Sequence, residues 1–277
     1  MRAVVAVGDS IAFGVGDRAV AGDLPGWAGR LGHITAAESV ANLGRTGAIL
    51  AHLEASLPAV LAAEPDVVLV SIGGNDLVQG TFQPGRFRDR LSTILAAFAR
   101  NGAQVVVVTL PDVSTAVMMP PRLRRSMHAR THVLNDEICA AALATSAVVI
   151  DRWSDRLSYA PHYVTVDRVH PSGAGYQHLA AWTAQSLGLE VVRGPLPSDV
   201  EDRPRGIWLA TSGLAWALRR FPIVLPSIIS AWTNGRALQG YVCTGCDPIS
   251  TAGARGIARQ ATPAVIASAP ARSQAPK

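Results

Sequence analysis

Near its start the chain reads RAVVAVGDS at residues 2–10, and this stretch decides the fold. The apolar run is continuous rather than alternating, and it stops at Gly8-Asp9-Ser10, as a buried strand does where it enters a turn. Strands that are apolar on both sides are typical of parallel sheets with helices on both faces. Similar runs recur at 67–72 (VVLVSI), 104–110 (QVVVVTL) and 147–150 (AVVI), with a weaker one at 38–43.

Segments with the apolar spacing of amphipathic helices separate these strands. Strand and helix alternate along the chain, which predicts an α/β domain with a parallel sheet between two helical layers. The predicted helices cover 27–37, 48–63, 87–101, 133–145 and 173–187.

Composition excludes several classes of protein. The chain has 277 residues, of which 49% are hydrophobic and 16% charged, so it can bury a large core and is too apolar to be mostly disordered. Three cysteines do not describe a disulfide framework. No apolar stretch reaches the roughly 18 to 20 residues of a membrane-spanning helix, and no basic region followed by an apolar run opens the chain. We therefore expect a cytoplasmic protein.

The positive charge is concentrated at one end of the chain. The formal net charge is +5, and residues 251–277 hold four basic and no acidic residues, which leaves +1 for residues 1–250. A nearly neutral domain with a basic tail does not predict nucleic-acid binding. We expect no nucleic-acid partner.

Four segments are predicted along the chain. The domain spans 1–190, a proline-containing linker covers 191–206, an apolar helical extension covers 207–250, and a disordered basic tail covers 251–277. Within the extension, the tryptophan-rich stretch 207–233 is interrupted by arginine and proline. It either packs on the domain as a helical hairpin or anchors the protein weakly at a membrane interface, which would make it a peripheral membrane protein.

Polar and glycine-rich stretches follow the predicted strands at 8–10, 42–47 and 73–76, and a fourth lies at 167–171. Ligands of open parallel sheets bind beyond the carboxyl ends of the strands. The four stretches are therefore expected to form one site.

The residues of these stretches suit nucleophilic catalysis. Ser10 needs a base to take its proton, and that base needs a carboxylate to orient it. Asp167 and His170 are three residues apart, so one turn brings both side chains to the same side, and Ser10, His170 and Asp167 form a candidate triad. The amides of Ser10 and Gly44 and the side-chain amide of Asn75 are candidate donors to an oxyanion.

Together, GDSIAFG at 8–14, NLGRTG at 42–47, GGND at 73–76 and DRVHP at 167–171 resemble the four blocks of the SGNH hydrolase family, also called GDSL-like lipases and esterases. The first block reads GDSI instead of GDSL, a conservative change at a packing position. The resemblance implies a flavodoxin-like three-layer α/β/α fold with five parallel strands. It also implies hydrolysis of esters without a metal or other cofactor.

Carried over position by position, the resemblance implies that Ser10 is the nucleophile and the first oxyanion donor, with Gly44 and Asn75 as the second and third. It makes His170 the base, oriented by Asp167. The expected partner is a small-molecule ester or a lipid. A short-chain or acetyl esterase, a lipid acylhydrolase and a thioesterase stay open, as does a non-catalytic module that binds an acylated ligand.

Three further features have weaker interpretations. The basic stretch 122–132 either gates the site for an anionic substrate or is a solvated helix start and loop. Cys243 and Cys246 have the spacing of half a zinc site or of a redox pair, but no second pair completes a four-ligand site. Asp9 and Asp76 are expected to cap turns and not to act as acids.

Overall fold

The computed structural model describes residues 1–18, 26–115 and 120–198. The predicted extension at 207–250, the tail at 251–277 and the linker from 199 onward lie outside the described residues. The same holds for the Cys243 and Cys246 pair, whose interpretation stays a prediction.

Five parallel strands form the sheet, as predicted. Their order is β2-β1-β3-β4-β5, so the first strand lies inside the sheet and the chain reverses its winding there. At the C-terminal end of β1, Gly8 aligns with Gly44 of β2 and Ser71 of β3, which brings three strand ends to one edge. The strands are β1 (Ala3–Gly8), β2 (Ser39–Gly44), β3 (Val67–Ser71), β4 (Gln104–Val108) and β5 (Val148–Ile150).

The helices cover both faces of the sheet. Successive strand residues point to opposite faces, so Val4 and Ala6 pack against α2 and α8, whereas Val5 and Val7 pack in the cluster that contains α3, α6 and α7. This confirms the predicted three-layer α/β/α architecture. The helices are α1 (Ser10–Phe13), α2 (Gly26–Thr35), α3 (Leu50–Ala55), α4 (Leu57–Ala62), α5 (Gly74–Gln79), α6 (Pro84–Arg100), α7 (Pro121–Thr145) and α8 (Gly173–Leu187).

The prediction of one continuous helix at 48–63 is wrong. The segment is divided into α3 and α4 at Ser56, two residues before Pro58. Proline has no amide hydrogen and its ring crowds the carbonyl four residues earlier, so Pro58 is accommodated in the first turn of a new helix.

Helix α7 begins at Pro121 and not at residue 133, so the basic stretch 122–132 is helical. Helices α1 and α5 were not predicted, because four or six residues are too short to display a helical period. Within the described ranges, no helix combines the length and the apolar character needed to cross a bilayer.

Candidate active site

Ser10 lies where β1 ends and α1 begins. The last residue of β1, Gly8, has a φ of +127°, and a Cβ added to it would lie 1.9 Å from the carbonyl oxygen of Ser71. Only glycine tolerates both this backbone conformation and this close approach. The tight turn places Ser10 at the C-terminal edge of the sheet.

Asp9 caps α1 from inside the protein, as the sequence predicted. Its Oδ1 accepts hydrogen bonds from the amide of Ile11 at 3.0 Å and from the hydroxyl of Ser71 at 2.9 Å. Burial raises the pKa of the Asp9 carboxyl, and these two hydrogen bonds oppose that effect. Since Asp9 caps through Ile11, the Ser10 amide has no acceptor within the described ranges.

The structure brings Ser10, His170 and Asp167 together in one chain of hydrogen bonds. His170 Nε2 lies 2.8 Å from Ser10 Oγ, and His170 Nδ1 lies 2.7 Å from Asp167 Oδ2. An ionised carboxylate only accepts, so Nδ1 carries the hydrogen toward Asp167. In the neutral imidazole, Nε2 then accepts from the Ser10 hydroxyl, which is the arrangement a general base needs.

The Asp167 carboxylate is fixed by a turn of its own chain. Oδ1 accepts from the Thr165 hydroxyl at 2.6 Å and from the amides of Val169 at 2.8 Å and His170 at 3.0 Å. Burial alone would raise the pKa of Asp167, but the hydrogen bonds and the charge of His170 together hold it well below its usual range. Asp167 is therefore an anion that orients His170.

Thr165 was not singled out in the sequence analysis. Its signal was weak, because a threonine two residues before an aspartate is common in turns.

Asn75 and Gly44 lie at the same edge but differ in their hydrogen bonds. The Asn75 side-chain amide donates one hydrogen to the Ala48 carbonyl at 2.9 Å and has no second acceptor within the described residues. The Gly44 amide donates to Asn42 Oδ1 at 2.9 Å. The Gly44 amide is therefore already engaged within β2 in this structure.

Gly44 also has a packing role, because a side chain at this position would collide with α1. A Cβ at this position would lie 2.3 Å from the backbone nitrogen of Phe13 in α1. Asn42 Nδ2 donates to the Phe13 carbonyl at 3.0 Å. The C-terminal end of β2 is thus packed directly against the helix that begins with Ser10.

The loop that follows β2 contains another glycine, Gly47, whose amide is a further candidate donor. Gly47 adopts a φ of +82°, and its amide has no hydrogen-bond acceptor among the described parts of the chain. Its carbonyl accepts from the side-chain amide of Gln79 at 3.3 Å. Gly47 directly precedes Ala48, whose carbonyl accepts the hydrogen bond from Asn75.

Several side chains of the basic stretch 122–132 form hydrogen bonds or ring contacts with other parts of the domain. His128 Nδ1 lies 2.7 Å from Asp112 Oδ2, and Arg130 donates to the Leu77 carbonyl at 3.3 Å. His128 and His132 both place their rings against Trp153, with ring centroids 5.1 and 5.4 Å apart. The gating interpretation stays a prediction.

Within the described residues, no group of three or more histidine, cysteine or acidic side chains is placed to hold a metal ion. Cys139 is a partly buried thiol whose pKa burial raises to about 11, so it is a weak nucleophile.

A sequence profile of the GDSL-like lipase/acylhydrolase family matches residues 6–178. No curated protein matches significantly.

Three solved structures illustrate the structural similarity. A lipase/acylhydrolase from Enterococcus faecalis is 25% identical, with a TM-score of 0.54 over 70% of this chain and 100% of its own. An alpha/beta hydrolase from the metagenome of Lake Arreo is 23% identical, with a TM-score of 0.55 over 68% and 95% of the two chains. An acetylxylan esterase from Geobacillus stearothermophilus is 23% identical, with a TM-score of 0.51 over 70% and 97%.

Proposed function

Because the chain belongs to the GDSL-like lipase/acylhydrolase family, we propose that it is a serine esterase that cleaves carboxylic esters through an acyl-enzyme intermediate. The family and its structural relatives support ester hydrolysis in general. The observation that carries the finer proposal is the continuous chain of hydrogen bonds from Ser10 Oγ through His170 to Asp167.

In the first half of the proposed reaction, Ser10 Oγ attacks the ester carbonyl carbon while His170 Nε2 takes the hydroxyl proton. Asp167 stabilises the imidazolium that forms and keeps its ring in place. The tetrahedral intermediate collapses, the bond to the alcohol oxygen breaks, and the alcohol leaves with the proton from His170. The acyl group is then bound to Ser10 as an ester.

In the second half, His170 takes a proton from water, and the resulting hydroxide attacks the acyl carbon. The intermediate expels Ser10 Oγ, which recovers its proton from His170. The carboxylic acid is released, and the enzyme returns to its starting state.

We propose Ser10, Gly44 and Asn75 as donors to the oxyanion. The Ser10 amide and one hydrogen of the Asn75 amide have no acceptor among the described residues, which supports both as donors. The Gly44 amide must first break its hydrogen bond to Asn42. The amide of Gly47, which has no acceptor among the described residues, is therefore the alternative third donor.

The substrate is proposed as a small ester. An acetyl or other short-chain ester is our first choice, and a lipid or thioester is the alternative. A series of p-nitrophenyl acetate, butyrate and decanoate separates short-chain from lipid-like esters by chain length, and acetyl-CoA compared with p-nitrophenyl acetate tests the thioester.

The proposal is tested by labelling with a fluorophosphonate probe and by ester hydrolysis. We expect Ser10→Ala to abolish labelling and to lower kcat by at least about 1,000-fold, because the nucleophile is lost. The exposed Ser154 offers a matched control, and Ser154→Ala should label and react like the wild type. A folded wild-type protein that neither labels nor hydrolyses any of these esters would refute the esterase and favour a binding module.

A further inference from the structure

Side chains of helix α5 form hydrogen bonds with the backbone that leads from β2 into α3. The Asn75 side chain donates to the Ala48 carbonyl at 2.9 Å, and the Gln79 side chain donates to the Gly47 carbonyl at 3.3 Å. Between these contacts, both oxygens of Asp76 accept from the amide of Leu50, each at 3.2 Å. Three side chains of one short helix therefore hold three residues between 47 and 50, namely Gly47, Ala48 and Leu50.

An aspartate is energetically costly at the buried position of Asp76. Its side chain is only 3% exposed, and it accepts hydrogen bonds from the Leu50 amide and from Thr81 Oγ1 at 3.3 Å. Burial raises the pKa of Asp76 to about 6. A buried carboxylate is unfavourable unless its hydrogen bonds compensate, so packing alone does not account for an acid here.

The contacts of Asp76 bear on the direction of the Asn75 amide. That amide is planar, so the bond from one of its hydrogens to Ala48 fixes where the other hydrogen points. Ala48 lies two residues before Leu50, the residue that Asp76 holds. A shift of the loop would therefore rotate the free hydrogen of Asn75 away from its present direction.

We propose that Asp76 is a positioning residue of the esterase: by holding the Leu50 amide, it fixes the loop at 47–50 and so aims the Asn75 side-chain amide at the oxyanion. The inference rests on the proposed function, because it needs Asn75 to act as an oxyanion donor. It adds to that function a residue that touches neither the substrate nor the reacting atoms.

The kinetic test compares Asp76→Ala and Asp76→Asn with the wild type on p-nitrophenyl acetate. We expect Asp76→Ala to lower kcat by about 10- to 100-fold with KM changed less than about twofold, since a displacement of about 1 Å in a catalytic group has effects of this size. Asp76→Asn keeps one oxygen that can accept from Leu50, so its kcat should lie between that of the wild type and that of Asp76→Ala. If the alanine variant does not fold, this near-isosteric variant provides the kinetic test by itself.

Asp66 provides the matched control. Its carboxylate likewise accepts backbone amides from a distant segment, those of Arg2 and Ala3, but at the opposite edge of the sheet. Asp66→Asn should leave kcat unchanged. A general sensitivity of the fold to such bonds would instead lower kcat in both aspartate variants.

A double-mutant cycle separates positioning from a purely structural role. If Asp76 acts through Asn75, Asp76→Ala should lower kcat by less than about threefold in an Asn75→Ala background, because coupled residues are not additive. Additive effects, or a wild-type kcat in a folded Asp76→Ala enzyme, would overturn the inference while leaving the esterase intact. An inactive wild type would refute the proposed function and the inference with it.

Discussion

At the scale of single residues, the site has two buried carboxyls, Asp9 and Asp76, and a half-buried one, Asp167, and their surroundings affect their pKa values differently. Asp167 has its pKa lowered by the hydrogen bonds and charge of His170, whereas burial raises the pKa of Asp9 and Asp76. The carboxyl with an imidazole partner thus has a lowered pKa, whereas the two without one have raised pKa values. The sequence predicted caps at Asp9 and Asp76 and an orienting role for Asp167, but it did not predict these electrostatics, which depend on depth in the fold.

Sequence reasoning also predicted the meeting of Ser10, His170 and Asp167. Ser10 follows a parallel strand, and Asp167 and His170 are three residues apart in a stretch that was assigned to the same edge. It did not foresee that the Gly44 amide donates to Asn42. A backbone amide takes its direction from local torsions, which no residue type reveals. Thr165 was missed for the same reason, since its role depends on a turn geometry that lets its hydroxyl donate a hydrogen bond to Asp167.

The raised pKa of Asp76 predicts a pH dependence of stability. Its ordinary value is 3.8 and its folded value about 6, so the folded state binds this proton more tightly than the unfolded state. The contribution of Asp76 is fully present below about pH 4 and is lost as the pH rises toward 6. Asp76→Asn removes this contribution, so its stability relative to the wild type should rise between pH 4 and 6.

Urea unfolding at several pH values measures this difference. A constant difference between Asp76→Asn and the wild type across pH 4 to 6 would contradict the raised pKa. Asp66→Asn is again the control, and its stability relative to the wild type should stay constant between pH 4 and 6, because the contribution of Asp66 changes only below about pH 4. Hydrogen bonds from Ala3 and Arg2 lower the pKa of Asp66, so its contribution is lost as the pH falls.

At the scale of elements, the short helices of the site are positioned by close backbone contacts. The helix α1 has only four residues and follows a strand whose last residue, Gly8, touches the Ser71 carbonyl. On its other side, Gly44 abuts Phe13. Long periodic elements could be predicted from the sequence, but α1 and α5 could not, because tertiary contacts rather than periodicity define them.

A glycine pair tests the contact beneath α1. Gly8→Ala should destabilise the protein by about 3 kcal/mol or more, because a positive φ and a clash with backbone add together. Gly102 also has a positive φ, +93°, but nothing lies within 4 Å of an added Cβ. Gly102→Ala should therefore cost only about 1 to 2 kcal/mol.

Thermal unfolding and ester hydrolysis together measure this prediction. Gly8→Ala should also lose activity, since it displaces the turn that leads to Ser10, whereas Gly102→Ala should retain it. Equal stability losses in the two variants would mean that the contact with Ser71 is easily relieved.

At the scale of the whole molecule, one buried ion pair joins segments that are distant in sequence. Arg30 of α2 forms two hydrogen bonds with Asp17, at 2.7 and 2.8 Å, and both side chains are almost fully buried. The same guanidinium also donates to Gln177 of α8 and to the carbonyls of Leu196 and Pro197. Arg30 thereby links the loop after α1, two helices and the chain beyond α8.

Removing this arginine should be far more harmful than removing one from the surface. Arg30→Leu leaves Asp17 buried without its partner, so we expect a loss of about 3 to 5 kcal/mol. The exposed pair of Arg90 and Glu54 is the control, and Arg90→Leu should cost less than about 1 kcal/mol. Urea unfolding measures both variants, and similar losses would show that Arg30 is not a central link.

The hydrogen bonds from Arg30 to Leu196 and Pro197 also bear on how a minimal enzyme should be cut from this chain. A boundary at residue 190 follows the end of regular secondary structure, but it removes two acceptors of a buried cation. A boundary after Ser198 preserves both. For protein engineering, we therefore expect a fragment that ends after Ser198 to be more stable than one that ends at residue 190, because only the longer one keeps both carbonyl acceptors of this buried charge.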